Sequence, residues 1–222
     1  MDVKSNLNKI AASLPPSVTL VAVSKTKPSQ AIADAYETGH RDYGENKVQE
    51  LTAKSEELPK DIKWHLIGHL QRNKVKYIAP FVYLIHTVDS LRLAKEINKR
   101  AKQNNRVIKC LIQIYIANED TKFGLDFNEA NELFESEEFQ ALENIEITGL
   151  MGMATFTDNK DQIRKEFASL KEFYDQQKEK TTALSNCNFD VLSMGMSGDY
   201  EVGIEEGSNM IRIGSSIFGA RH

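Results

Sequence analysis

The sequence predicts one (β/α)8 barrel of the TIM type, a single domain over residues 1–222 with an extra helix at its N-terminus. Three observations carry that expectation. Short apolar β-branched runs alternate with stretches of helical periodicity. Eight such runs occur, the count of that barrel. No G-x-G-x-x-G follows the first run, which argues against an open doubly wound sheet.

The first strand is VTLVAV (18–23). A helix follows, with Ala31, Ile32, Ala35 and Tyr36 at helical spacing, Ser29 as N-cap and Gly39 as its stop. RDYGE (41–45) is a short second strand, and its helix ends at Leu58, before Pro59. KWHLIG (63–68) is the third strand, followed by a helix ending near Pro80. FVYLIHTV (81–88) is the fourth, and Asp89 or Ser90 caps a helix with Leu91, Ala94, Ile97 and Ala101 on one face. VIKCLIQIYI (107–116) is the fifth, with a shorter helix at 128–136 after it. IEITGLMGMA (145–154) holds the sixth, before a long helix striped by Ile163, Phe167, Leu170 and Tyr174. FDVLSMGM (189–196) is the seventh, and a short helix from Asp199 stops at Gly207. NMIRIGSSIFG (209–219) is the eighth. The sequence stops soon after it, so residues 3–13 are expected to form a helix covering that side of the barrel.

Composition narrows the function classes. With 222 residues, 41% hydrophobic and 27% charged, the chain reads as globular. Its 28 basic and 32 acidic residues give a formal net charge of -4, which offers no general attraction to nucleic acid or anionic lipid. No apolar run approaches the roughly 18 residues of a membrane span, and MDVKSNLNKIAASLPP lacks the apolar core of a signal peptide. Cys110, in an apolar run, and Cys187, in a polar loop, make neither a disulfide framework nor a zinc site. A cytoplasmic protein is expected.

Active sites of such barrels lie at the C-terminal ends of the strands. Lys25 stands at the end of the first strand, and Glu45 and Asn46 at the end of the second. Ser197, Gly198 and Asp199 follow the seventh, and Gly214, Ser215 and Ser216 the eighth. The loops after strands seven and eight often bind phosphate, and small residues let backbone N–H groups approach an anion. Ordinary turn chemistry gives the same residues. A lysine at a buried strand end is poorly hydrated, which favours the neutral amine that forms Schiff bases; a lysine reaching out to solvent, as Lys27 would, is the alternative. Arg212 shares a strand face with Met210 and Gly214, so its guanidinium needs a partner, either a structural carboxylate or a ligand atom such as a pyridine nitrogen. His65 and His69 have a metal-like spacing, but Gly68 between them and a strand-like context speak against a metal site.

The motifs VAVSKTKP (21–28), YGENKVQE (43–50), WHLIGHLQRNK (64–74), HTVDS (86–90), KFG (122–124), GLMGMA (149–154), LSMGMSGDYE (192–201) and IRIGSSIFGAR (211–221) occur in this order. Together they resemble the pyridoxal 5′-phosphate (PLP) homeostasis protein family, the YggS or PROSC type. The resemblance implies the N-terminal barrel of alanine racemase and a cofactor held as a Schiff base on Lys25. It implies Asn46 near the ring, Arg212 facing the pyridine nitrogen, and Ser197, Gly198, Gly214 and Ser215 on the phosphate. It further implies PLP storage, buffering or delivery without established enzymatic turnover, with PLP-dependent apo-enzymes as recipients. The racemases carry a further C-terminal β domain; the sequence ends at His222 without one, and a monomer is expected. Asn209 and Gly203 stand where the family more often has threonine and alanine.

Two other readings follow from the same residues. A PLP enzyme of small scope, such as an amino-acid racemase, would need a second base, for which Tyr43 and His65 are the candidates. A cofactor-free aldolase would use Lys25 on a sugar phosphate.

Overall fold

A computed structural model of the chain describes residues 2–118 and 123–219. Eight parallel strands close into a barrel in sequence order: β1 Thr19–Val23, β2 Asp42–Glu45, β3 Lys63–Leu66, β4 Leu84–Val88, β5 Ile108–Tyr115, β6 Ile145–Met153, β7 Cys187–Met196 and β8 Met210–Ile213. β1 completes the closure, with Ala22 opposite Tyr43 of β2 and Val21 opposite Arg212 of β8. The helices are α1 Val3–Ser13, α2 Ser29–Tyr36, α3 Val48–Glu57, α4 Val75–Ile78, α5 Leu91–Gln103, α6 Phe127–Glu135, α7 Glu137–Gln140, α8 Lys160–Lys180, α9 Tyr200–Glu205 and α10 Ser215–Phe218. None is long and apolar enough to cross a membrane.

Strand alternation sorts the side chains into two cores. Val21, Leu84, Leu111, Met151 and Met210 fill the barrel interior. Residues such as Ala22, Tyr43, Leu66, Ile85, Ile112, Leu150 and Ile211 face the helices and join the larger outer core. Several buried polar side chains also occupy strands, among them His65, His86, Gln113, Ser193 and Arg212.

The N-terminal helix forms as expected. The Asp2 carboxylate accepts from the Ser5 N–H at 3.1 Å and caps α1. α1 packs against α2 and α10, buries Leu7, and donates from Asn6 Nδ2 to the Ile217 carbonyl at 3.2 Å. It thus covers the side left by the four-residue α10.

Several boundaries differ from the sequence reading. Residues 81–83 precede β4: the Phe81 and Val82 N–H groups donate to the Ile78 carbonyl and close α4. β7 begins two residues early, at Cys187, which is therefore in a strand and not a loop. The run 209–219 splits into β8 and α10 at Gly214. Ser29 does not cap α2; Pro28 holds the cap position, and the Ser29 hydroxyl bonds the Glu57 carboxylate of α3. Of the two caps proposed for α5, Ser90 is the one used, accepting from the Leu93 N–H at 3.4 Å. Lys122 and residues 220–221, which belong to two of the quoted motifs, lie outside the described residues.

One buried ion pair sits between β2 and the helix layer. Glu45 Oε1 accepts from Lys54 Nζ at 2.8 Å and from Ser24 Oγ at 2.6 Å. Lys54 also donates to the Ser24 carbonyl at 2.9 Å. Glu45 Oε2 has no hydrogen-bond partner in the protein. Burial pushes the Glu45 carboxyl up to about 7, against the opposing bonds from Lys54 and Ser24. A carboxyl raised from 4.5 to about 7 holds a proton in the folded chain that the unfolded chain has released. Its contribution to stability is therefore complete below pH 4.5 and is lost as pH rises through about 7. Urea unfolding across that window should show stability falling by up to about 1.4 kcal/mol per pH unit from this group. Glu45→Gln should remove that component; an unchanged slope in the variant would contradict it.

Candidate functional site

The C-terminal ends of the strands open into a cavity of about 460 Å³. Lys25, Asn46, Ser197, Gly198, Arg212, Gly214 and Ser215 all line it, so residues spread over almost 200 positions of sequence meet there.

Lys25 lies two residues beyond the end of β1 and is half-buried. Its loop is anchored on both sides. The Ser24 N–H donates to the Gly44 carbonyl at 3.0 Å, and the Thr26 N–H to Glu50 Oε1 at 2.7 Å. Thr26 has a φ of 65°, a left-handed conformation that a β-branched residue rarely adopts without such support. The Glu45–Lys54 pair holds the Ser24 carbonyl and hydroxyl from the helix side. Glu45 itself faces away from the cavity, which Asn46 lines. Gly68 permits that placement: a Cβ there would come within 2.3 Å of the Asn46 carbonyl oxygen.

The loops after β7 and β8 are joined. The Gly214 N–H donates to Ser197 Oγ at 3.3 Å, which leaves the Ser197 hydroxyl proton available to a ligand. A Cβ at Gly214 would approach the Val23 carbonyl to 3.1 Å, so glycine keeps β8 close to β1 at the cavity wall. Asp199 is turned to its own loop, accepting from the Met196 N–H at 2.5 Å. Glu206 is paired with Arg164 at 2.5 Å and does not line the cavity.

Arg212 is buried at 4% exposure, and within the protein its partners are backbone and hydroxyl oxygens, not a carboxylate. Nη1 donates to the Ser193 carbonyl at 3.0 Å and to Ser193 Oγ at 2.5 Å, and Nη2 to the Gly152 carbonyl at 3.0 Å. Burial pushes the guanidinium down to about 10, with Asp199 opposing, so it stays charged at neutral pH. Nε–H and one proton on Nη2 are not used by these bonds.

Neither base candidate reaches the cavity. Tyr43 packs in the outer core against Trp64, with ring centroids 6.2 Å apart, and burial raises its phenol far above the usual range. His65 bonds His86 and Asp42 inside the barrel. No group of three or more His, Cys, Asp or Glu side chains among the described residues has metal-site geometry, and the HLIGH pair is split: His69 pairs with Asp89 at 3.5 Å.

The loop after β6 was not anticipated. Met153, Thr155, Phe156, Thr157 and Asp158 line one wall. Thr155 is fixed there by Glu166 of α8, which accepts from its N–H and its hydroxyl at 2.7 Å each. Polar residues after the sixth strand were the available signal.

The family model for the alanine racemase N-terminal domain matches residues 2–222. The chain belongs to that family. Among its members, the pyridoxal phosphate homeostasis protein of Aquifex aeolicus is 44% identical over 204 residues, covering 91% of this chain and 86% of that protein. That of Vibrio alginolyticus is 39% identical, covering 93% and 88%. PipY of Synechococcus elongatus, solved with PLP bound, is 33% identical with a TM-score of 0.87 over 98% of this chain and all of that one. An alanine racemase of Clostridium difficile shares the fold at 18% identity, with a TM-score of 0.78, and this chain spans 57% of it. The barrel and the family expected from the sequence both stand.

Proposed function

We propose that this family member binds PLP in the cavity, on Lys25, and serves PLP homeostasis by storing, buffering or handing over the cofactor. The observation that carries the reading is the convergence of Lys25, Arg212 and the Ser197–Gly214 loops on one cavity. Its donor set fits an aldehyde, a ring nitrogen and a phosphate in a single molecule. The name of the relatives and the PLP in PipY support the same reading.

PLP, when bound, supplies an aldehyde carbon for an amine and a ring that withdraws electrons. The chain's residues supply the rest. Lys25 presents its amine from an anchored loop. Arg212 would offer its unused N–H groups to the ring nitrogen, and Asn46 would lie beside the ring. The hydroxyls of Ser197 and Ser215 and the open backbone at Gly198 and Gly214 hold the phosphate.

Arg212 also favours a carrier, because it would leave the ring a weaker electron sink. A guanidinium donates and does not give up its proton, so it does not protonate the ring nitrogen as a carboxylic acid would. Tyr43 and His65 are both turned away from the cavity, so neither can serve as a second base. In this reading the protein acts as a cytoplasmic monomer, and its recipients are PLP-dependent apo-enzymes. Incubating the PLP-loaded protein with amino acids in heavy water should show no α-carbon deuteration at enzyme rates, roughly 1 per second or more. Sustained exchange at such rates would overturn the carrier reading.

A further inference from the structure

Arg212 is the end of a chain of buried polar groups that crosses the barrel. Ser193 Oγ, its acceptor, lies 3.3 Å from His86 Nδ1. His86 Nε2 lies 2.9 Å from His65 Nδ1, and His65 Nε2 lies 3.0 Å from Asp42 Oδ1. Asp42 is the first residue of β2, at the N-terminal mouth, whereas Arg212 lines the cavity at the other mouth. His65, His86 and Ser193 are all fully buried.

With both imidazoles neutral, the two ends fix the direction of every bond between them. A guanidinium only donates, and a carboxylate only accepts. Ser193 Oγ accepts from Arg212 and gives its own proton to His86 Nδ1, the acceptor that remains once His65 donates to Asp42 and His86 to His65. His86 is then protonated on Nε2 and donates to His65 Nδ1. His65 is protonated on Nε2 and donates to Asp42. Each imidazole is held in one tautomer by its neighbour. Burial, with the charge of Arg212, keeps His86 neutral, as this order requires. Burial works against the Asp42 carboxylate, but the His65 bond and the nearby Lys63 outweigh it and hold the group ionised. His40 stands beside Asp42, the Tyr83 ring lies 5.5 Å from His65, and Asp199 acts on Arg212.

We propose that Asp42, His65, His86 and Ser193 are positioning residues, a one-way hydrogen-bond relay that orients Arg212 from the opposite mouth of the barrel. The consequence for the cofactor rests on the PLP reading above. Without the relay the Ser193 hydroxyl is free to turn its proton and re-aim its lone pairs, so the acceptor geometry at Arg212 Nη1 is no longer fixed.

Nitrogen-15 NMR of the full chain, freed of cofactor, reads the two tautomers directly. Wild type should show Nε2–H at both His65 and His86. Asp42→Ala should lose that preference at both positions, and Asp42→Asn, which keeps an acceptor oxygen, should retain it. A His86 protonated on Nδ1 in wild type, or tautomers unchanged in Asp42→Ala, would overturn the relay. In PLP-loaded protein the visible band should shift in Asp42→Ala and return in Asp42→Asn; a band identical in all three would overturn the link to the cofactor. A wild type that takes up no PLP would contradict the functional reading instead, while the cofactor-free NMR result still decides the relay.

Discussion

Lys54→Ala is expected to lower the unfolding free energy by about 3–5 kcal/mol. The lysine is 5% exposed, and its ammonium is the charged partner of a Glu45 carboxyl that is fully buried. Removing it leaves one Glu45 oxygen with only Ser24 and the other with no partner. It also removes a donor from the Ser24 carbonyl, next to Lys25. Since a domain is stable by only about 5–15 kcal/mol in total, a loss of this size should be plain in the urea midpoint. Lys54→Ala with Glu45→Leu should recover much of it, because an apolar pair leaves no uncompensated charge. Measured well above pH 7, where the Glu45 carboxyl is ionised, a change under about 1 kcal/mol in Lys54→Ala would contradict a buried charged pair.

Arg212→Ala should lose both stability and PLP. The guanidinium satisfies the carbonyls of Ser193 and Gly152 and the Ser193 hydroxyl. Each buried acceptor left without a partner costs about 1–3 kcal/mol, so about 2–4 kcal/mol is expected, read from urea unfolding. PLP uptake should fall as well, since in the proposed site the ring would lose its donor. Arg212→Lys separates the two effects. It keeps the charge but not the planar fork that reaches strands β6 and β7 together, so it should restore little of the stability. Full stability in either variant would mean that the Arg212 bonds do not hold the barrel wall.

The barrel was legible because each strand is an apolar run and each helix carries its own stripe. VIKCLIQIYI has no competing helical reading, and β5 covers most of it. The errors arose where apolar residues serve packing outside a strand. Phe81 and Val82 are apolar because they close α4, and a hydrophobic run alone does not separate that role from a strand. Ile217 and Phe218 looked like the end of the eighth strand, but both are buried in the outer core, on a helix that α1 covers.

The cavity residues were legible for a different reason. A parallel barrel sends every strand end to the same face, so position in the strand order places Lys25, Asn46, Ser197 and Gly214 together. The relay was not legible. Asp42, His65, His86, Ser193 and Arg212 come from five strands, and only closure of the barrel brings them within hydrogen-bonding distance. Taken singly, each is a polar residue in an apolar run, and nothing in its neighbours names its partner. The Glu45–Lys54 pair was hidden similarly: YGENKVQE puts Glu45 beside Asn46, and only the pleat shows that they face opposite ways.

The central claim is a covalent one, that PLP sits on Lys25. The direct measurement is visible absorbance of the purified protein incubated with PLP, before and after borohydride, with the reduced adduct mapped by peptide mass and Lys25→Ala in parallel. The account predicts a yellow wild type, bleached by reduction, with the adduct on Lys25 and a colourless variant. A wild type that stays colourless with PLP, or an adduct on another lysine such as Lys27, would contradict it.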